Sequence, residues 1–276
     1  MSNQTTVADN TEALGPGRAS RRRVRAIAKR NYLVQSRNPG HWFLILVLPF
    51  VDALLFGSIG VSFDEGEAPV RLLIVGVMLF HLIWQVTLAG SMGLLEEVWS
   101  RNMLNLIATP LTTREFLGGL GIVGLVRSVI SMAVIAAVGV MFYAVAPDSA
   151  GWVMIPSAML LLIFGWAVTL LVIGLTLQYG DSAEVFSWGL LILLLPLSGV
   201  FYPVESLPDV LQPIAELIPL TAIFQSVQQG LEEGTIAWGE LAYATVGCLS
   251  ALGLAICFAI YQMGRFRRLG WVTKFT

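Results

Sequence analysis

Residues 152–177 have the sequence WVMIPSAMLLLIFGWAVTLLVIGLTL, a run of 26 residues without Asp, Glu, Lys or Arg. A helix that crosses a bilayer core needs about 20 consecutive apolar residues, whereas a membrane β-strand alternates over only about 10. This run is therefore too long for a strand and long enough for a transmembrane helix. Five other stretches are also long and predominantly apolar, and they are 42–60, 70–91, 116–143, 185–202 and 238–262.

The overall composition agrees with a membrane protein. Of the 276 residues, 56% are hydrophobic and 12% are charged, and the mean hydropathy is +0.77. Soluble domains carry roughly 25% charged residues. The sequence therefore predicts an all-α integral membrane protein with six transmembrane helices, which residues 39–276 form as a single domain.

The basic residues predict the orientation of the chain. Eight of them precede the first span, and they are Arg18, Arg21, Arg22, Arg23, Arg25, Lys29, Arg30 and Arg37. Four follow the last span, and they are Arg265, Arg267, Arg268 and Lys274. Segments 61–69, 144–151 and 203–237 contain neither Lys nor Arg. Because basic loops stay on the cytoplasmic side, both termini are predicted to be cytoplasmic, as an even number of spans requires.

The region before the first span divides into two parts. Residues 1–19 are polar and predict a disordered tail. Residues 20–38 predict a basic amphipathic interfacial helix with Val24, Ile27 and Ala28 on one side. Such a helix either anchors the first span by its charge or lies on the inner membrane surface, and the two roles are compatible.

The connection between the second and third spans, residues 93–115, carries a helical pattern of its own. Apolar residues recur at helical spacing over 94–108, which predicts an amphipathic helix of about three to four turns. Pro110 stops this helix, and Thr112 or Thr113 is placed to cap the third span. The apolar stripe needs a cover, which is either the membrane surface or a groove on a partner protein.

The segment before the last span, residues 203–235, is too apolar for an ordinary loop. Four prolines divide it, and they are Pro203, Pro208, Pro213 and Pro219. The pattern predicts two short helices that dip into the outer leaflet and return. Irregular backbone at that depth survives only where protein or a water-filled cavity covers it. This re-entrant hairpin is therefore predicted to line the outer end of a pathway.

Two charged residues lie well inside the predicted spans, far from either end, where charges are costly and frequently functional. Asp52 and Arg127 each fall about ten residues from the cytoplasmic start of a span, roughly 15 Å deep. We expect an ion pair between them, and the alternatives are a polar lining of the pathway or an Arg127 that faces water alone. His81 lies in the second span without Cys or carboxylate at ligand spacing, so no metal site is expected.

A nucleotide-binding phosphate loop requires a Gly-rich turn followed by Lys and Ser or Thr. The chain has two lysines, Lys29 after Ala28 and Lys274 after Thr273, and neither follows such a turn. If transport is driven by ATP, the ATPase is therefore expected to be another chain.

At this point the sequence resembles the membrane subunits of ATP-driven exporters, the ABC-2 type permease family. The resemblance is carried by SGVFYPVESLPDVLQPIAELIPLTAIFQSVQQG (198–230) and by EEVWSRNMLNLIATPLTTREFLGG (96–119). The six-span topology, the basic N-terminal helix and the chain length agree with it, so that it covers the chain from about residue 20.

The resemblance implies a multi-pass permease in the cell inner (plasma) membrane that exports a substrate with ATP hydrolysed by a separate ATPase subunit. ATP and Mg belong to that partner, so no cofactor is expected in this chain. The implied partners are the ATPase, a second permease copy in a homo- or heterodimer, the lipid bilayer and an exported small molecule or lipid-linked glycan. Nucleic acid is not expected. A secondary transporter driven by an ion gradient is the alternative.

The resemblance also implies roles for two sets of residues. The 93–115 loop would contact the ATPase through Glu96, Glu97, Trp99, Arg101 and Asn102. The hairpin would supply an outer gate of Phe201, Tyr202, Pro203 and Pro219. The chain is accordingly expected to be a transport subunit and not an enzyme.

Overall fold

The computed structural model describes residues 16–63, 66–102, 109, 111–145 and 151–269. These residues form helices and turns, and no strand occurs among them. Residues 1–15 of the predicted tail and 103–108 of the predicted coupling helix lie outside the described residues.

The chain winds back and forth as a bundle. Its helices are α1 (Pro16–Ser36), α2 (Pro39–Ser62), α3 (Glu67–Trp99), α4 (Thr113–Tyr143), α5 (Met154–Tyr179), α6 (Glu184–Leu197), α7 (Gln212–Leu217), α8 (Pro219–Glu233) and α9 (Trp238–Leu269). We call the end that holds α1, Trp99 and Thr113 the basic end, and the end that holds Ser62 and Tyr143 the far end.

Five helices are long and apolar enough to cross a membrane, namely α2, α3, α4, α5 and α9 through Phe266. They correspond to five of the six predicted spans. The remaining predicted span, 185–202, corresponds to α6, which has 14 residues and is therefore about 21 Å long at 1.5 Å per residue. A bilayer core is about 30 Å thick, so α6 alone is too short to cross it.

The predicted end of the fifth span at residue 202 was wrong because the helix stops at Leu197. Pro196 lies in its last turn, and a proline supplies no N–H to continue the helical hydrogen bonds. Ser198 donates its hydroxyl to Leu195 O at 2.8 Å. Gly199 then takes φ +63°, a left-handed conformation that glycine adopts without steric cost.

Helix α3 is the centre of the bundle. In its most apolar window 89% of the residues are buried, against 61% or fewer in the other four candidate spans. It packs against α2, α4 and α5, and glycines permit the closest approaches, as where Gly90 faces Thr169. The helix runs without a break from Glu67 to Trp99, so residues 93–99 extend the second span and do not begin a separate helix as the sequence predicted.

Helix α1 lies alongside the first half of α4, and the two run in the same direction. Arg23 contacts Glu115 and Gln35 contacts Arg127, both with a sequence separation of 92. The predicted apolar side is confirmed, because Val24 and Ile27 face Gly118 and Gly119 of α4. The helix therefore packs on the protein, and it begins at Pro16, within the stretch predicted as tail.

The segment between α6 and α9 forms the two short helices that the sequence predicted, α7 and α8. Pro219 packs on Gly247 of α9, and Thr221 Oγ1 donates to Leu197 O at 3.1 Å. Tyr243 of α9 donates its hydroxyl to Glu216 O at 3.2 Å. These contacts fix α7 and α8 against α6 and α9 at the far end.

The contact between α1 and α4 predicts opposite effects for two neighbouring glycines. A Cβ at Gly119 would lie 2.5 Å from Ile27 Cγ2, whereas at Gly118 the nearest atom is 3.7 Å away. Both alanine substitutions gain about 1 kcal/mol of helix propensity. In Gly119→Ala we expect overpacking, which costs about 1–3 kcal/mol, to cancel the gain in stability. Gly118→Ala has room for its methyl group and should keep the gain.

The measurement is thermal unfolding of the purified variants in one detergent. A lower midpoint for Gly119→Ala and an equal or higher midpoint for Gly118→Ala are expected. Equal shifts in both variants would contradict the observed packing of α1.

Candidate functional site

Glu97, in the last turn of α3, joins this helix to α1. Its side chain is 2% exposed. Arg30 donates to both carboxylate oxygens, with Nη2 to Oε2 at 3.0 Å. The pKa of Arg30 is raised, chiefly by this hydrogen bond. Burying a carboxylate costs free energy unless it is paired and hydrogen-bonded, so the position of Glu97 depends on α1 being in place.

Helix α3 ends in a turn that returns the chain to Glu97. Arg101 N donates to Val98 O at 3.0 Å and Asn102 N donates to Glu97 O at 2.9 Å, the pattern of a Schellman motif. Arg101 occupies the left-handed position with φ 53°, where a side chain costs roughly 1–2 kcal/mol. The turn lets Asn102 Nδ2 donate to Glu97 Oε2 at 2.7 Å.

A second connection joins α1 to α4 through Glu115. Thr112, one of the two residues that the sequence predicted for this role, is the N-cap of α4 and forms a capping box with Glu115. The same carboxylate accepts a hydrogen bond from Arg23, whose Nη2 lies 2.8 Å from Glu115 Oε1. The pKa of Arg23 is raised, chiefly by this hydrogen bond. Glu115 therefore completes the N-terminal cap of α4 and also binds α1 through Arg23.

The third connection joins α2 to α3, where His41 Nε2 lies 3.1 Å from Glu96 Oε1. Three predicted coupling residues, Glu96, Glu97 and Asn102, therefore have partners within the chain. The other two, Trp99 and Arg101, are exposed at the tip of α3, where 47% of Trp99 is accessible.

Arg127 lies buried in α4, with 3% of the residue exposed. Its Nε donates to Gln85 Oε1 and its Nη1 to Gln35 Oε1, each at 3.2 Å. The predicted ion pair with Asp52 was wrong, since both hydrogen bonds of Arg127 go to neutral carboxamides.

Asp52 contacts a histidine instead. His81 Nε2 lies 2.9 Å from Asp52 Oδ2, and His81 Nδ1 lies 3.3 Å from Ser131 Oγ. The carboxylate is partly accessible, with 29% of the side chain exposed, whereas Ser131 is fully buried. This arrangement of Asp, His and Ser joins α2, α3 and α4.

The first turns of α2 present a free backbone carbonyl group to Gln85. Residues Phe43–Val47 form a π-helical turn in which Leu48 N donates to Phe43 O. This pairing skips Leu44 O, the acceptor that an α-helix would use. Gln85 Nε2 donates to that freed carbonyl at 2.7 Å. One glutamine of α3 therefore links α2 to Arg127 of α4.

The four predicted gate residues occupy two places at the far end. The ring of Phe201 stacks on Phe56 of α2 with centroids 3.9 Å apart. Tyr202 donates its hydroxyl to Pro196 O at 2.6 Å, and Pro203 is exposed. Pro219 packs on Gly247 of α9.

The sequence did not identify Gln35, Gln85 and His41 as parts of the buried network. His81 and Gln85 are four residues apart, so they lie on one face of an otherwise apolar helix. That spacing was the available indication that α3 presents polar groups to its neighbours. Within the described part of the chain, no three His, Cys, Asp or Glu side chains are grouped as a metal site would need.

These features define the class as a multi-pass helical membrane protein with a polar network among its helices. Residues 22–231 match the family model of the ABC-2 type transporter, from α1 through α8. The match covers more than half of the chain, and the chain therefore belongs to the ABC-2 type transporter family, the membrane components of ABC transporters. No curated protein matches the sequence.

The ion pair between Arg30 and Glu97 predicts a charge-swap rescue. Arg30→Glu places a second carboxylate against Glu97, so we expect α1 to separate from α3 and trypsin to cleave within α1 at least tenfold faster. The double variant Arg30→Glu/Glu97→Arg restores opposite charges and should recover protection. Arg25→Glu, the same change at an exposed position of α1, is the matched control. Equal cleavage rates in the two single variants would refute the role of the pair.

Proposed function

We propose that this chain is the permease subunit of an ABC exporter that moves its substrate outward across the plasma membrane. A separate ATPase subunit would supply the energy, and a second permease copy would complete the pathway. Family membership supports a partner ATPase, because ABC-2 permeases generally work with one. The basic end would face the cytoplasm, as the distribution of Lys and Arg favours.

The observation that carries this proposal is the form of α3. It is one helix of 33 residues, about 50 Å long, and it passes through the centre of the bundle. Its tip exposes Trp99 and Arg101, while Glu96 and Glu97 hold α2 and α1. A partner that contacts the tip would therefore move α1, α2 and α4 together with α3.

In this proposal the five predicted coupling residues have two different roles. Trp99 and Arg101 would meet the ATPase directly, since they are accessible. Glu96, Glu97 and Asn102 would position the tip through their contacts inside the chain, and so transmit force without touching the partner.

The proposed topology retains six crossings with both termini in the cytoplasm. Helix α6 would cross together with the turn Ser198–Tyr202, because α6 alone is too short. The segment 203–235 would lie at the outer leaflet, where its contacts with α9 and α6 cover its backbone. Phe201, Tyr202, Pro203 and Pro219 would then lie at the outer mouth of the pathway.

A gradient-driven secondary transporter is the second candidate, and the contact between Asp52 and His81 favours it. Paired ionisable groups among membrane helices are typical of proton relays. The two candidates differ in energy source. Reconstituted export that needs ATP and persists with a protonophore supports the exporter, whereas export that a protonophore abolishes supports the secondary transporter.

The exposed tip of α3 predicts a loss of coupling on truncation of Trp99. We expect Trp99→Ala to reduce permease-stimulated ATP hydrolysis at least tenfold in proteoliposomes that contain both subunits. An aromatic anchor at an interface commonly contributes about 2 kcal/mol or more. Trp152→Ala removes an equally large, exposed side chain at the far end and should leave stimulation unchanged. Undiminished stimulation in Trp99→Ala would show that the ATPase docks elsewhere.

The stacked pair at the far end predicts a leak. Phe201→Ala removes the contact with Phe56, which is worth about 0.5–1.5 kcal/mol beyond burial for an aromatic pair. We expect proteoliposomes with this variant to release a small fluorescent dye without ATP, and Phe56→Ala to add little further. Phe186→Ala, in a looser aromatic pair with Tyr179 near the basic end, is the control. If vesicles that contain Phe201→Ala retain the dye, Phe201 is not part of the gate.

A further inference from the structure

Arg71 is a basic residue at the far end of the molecule, in the second turn of α3. The chain has 16 Lys and Arg residues. Among those that the structure describes, the others lie at the basic end or, in the case of Arg127, within α4. Basic residues are normally kept on the cytoplasmic side of a membrane protein. The position of Arg71 at the opposite end therefore requires a local reason.

The side chain of Arg71 contacts the last turn of α8. Its Nη2 donates to Leu231 O at 2.7 Å, across a sequence separation of 160. Helix α8 ends at Glu233, so Leu231 O is one of the four terminal carbonyl groups that have no partner within the helix. The C-terminus of a helix also carries a partial negative charge, which a guanidinium stabilises. A charged donor from α3 thus completes the end of α8.

The other end of α8 is held by a different helix. Pro219, the first residue of α8, packs on Gly247 of α9 so closely that a Cβ at Gly247 would collide with the proline ring. Helix α8 therefore bridges α9 and α3. If α3 moves relative to α9, the end of α8 at Leu231 moves with α3 while its start stays on α9. The consequence of such a movement is a tilt of α8.

A tilt of α8 would reach the residues proposed for the outer gate. Gln228 of α8 donates its Nε2 to Gly199 O at 2.8 Å, and Gly199 begins the turn that leads to Phe201. Helix α3 also passes close to this turn, because a Cβ at Gly76 would lie 2.9 Å from Val200 O. The turn that carries Phe201 is thus held between α3 and α8.

We propose that Arg71 is the positioning residue through which α3 moves α8 and, with it, the outer hairpin 203–235. The inference rests on the proposed function, in which the ATPase displaces the tip of α3 at Trp99. Trp99 follows Arg71 by 28 residues, which is about 42 Å along one unbroken helix. Rigid helices and hydrogen bonds carry coupling between sites so far apart. The hydrogen bond from Arg71 passes the movement of α3 to a second helix.

The test measures the position of α8 in a complex of the permease with the proposed ATPase. Spin labels are attached at Glu232 of α8 and Leu254 of α9, both exposed, after Cys248 and Cys257 are replaced by Ala. Double electron–electron resonance compares the distance between the labels without nucleotide and with trapped ATP. Without further substitution we expect a shift of about 3 Å or more, roughly half a helical turn. Permease-stimulated ATP hydrolysis is measured on the same samples.

Three substitutions locate the connection. Arg71→Met keeps an unbranched apolar side chain but removes the charge and the donors, so it should reduce the shift to less than half and leave stimulated hydrolysis unchanged. Arg71→Lys keeps a charged donor and should retain the shift. Tyr243→Phe is the matched control, because it removes a hydroxyl that donates from α9 to Glu216 O of the same hairpin. It should also retain the shift.

The inference and the proposed function fail in different ways. If the permease does not stimulate hydrolysis, the proposed function is wrong and the inference is wrong with it. If it stimulates hydrolysis but the distance does not change, only the inference is overturned. A full shift in Arg71→Met would overturn it equally, and a lower unfolding temperature of that variant would then show that Arg71 only caps α8. Even if Arg71→Met did not fold, loss of the shift in Tyr243→Phe would overturn the inference, because α9 would then drive the hairpin.

Discussion

The burial of one positive charge, that of Arg127, constrains the arrangement of four helices. Removing a guanidinium from water costs several kcal/mol even after the protein relaxes, so its N–H groups must find acceptors. Gln85 of α3 and Gln35 of α1 provide them. Gln85 can hold its position because the π turn of α2 leaves Leu44 O free. The contacts of this one charge thus involve α1, α3 and α4 directly, and the first turns of α2 through Gln85.

The ion pairs at the basic end add little to the stability of the protein and mainly determine the position of α1 along α4. Arg30 is 41% exposed, and a pair with so accessible a partner is worth no more than about 1 kcal/mol. Close packing contributes more, since a single Cβ at Gly119 would collide with Ile27. Packing therefore holds α1 on α4, and Glu97 and Glu115 fix how far along it lies. The consequence is a basic end in which α1, α3 and α4 form one body.

The sequence predicted those features that depend on local order. The five long spans follow from long apolar runs, the apolar side of α1 from helical spacing, and the cap at Thr112 or Thr113 from the type of residue there. The wrong prediction for Asp52 and Arg127 had a geometric cause. Equal depth along two helices does not determine which way the side chains point, and α3 offers a nearer partner to each, His81 to one and Gln85 to the other.

The helix boundaries show the same limit. The apolar residues of 93–99 recur at helical spacing, which fits either an extension of α3 or a separate helix. The spacing alone therefore did not show that α3 continues through them. The early end of α6 depends on the left-handed Gly199, and on its contact with Gln228 of α8, which donates to Gly199 O at 2.8 Å. Contacts between residues so distant in sequence leave no periodic pattern.

The central claim is that the basic end moves as one body when the transporter works. The most direct measurement is the distance between spin labels at Arg21 of α1 and Val129 of α4, after Cys248 and Cys257 are replaced by Ala. In a complex with the proposed ATPase, double electron–electron resonance should give the same distance distribution without nucleotide and with trapped ATP. A shift of about 5 Å, roughly one helical turn, would contradict the account, because α1 would then slide along α4.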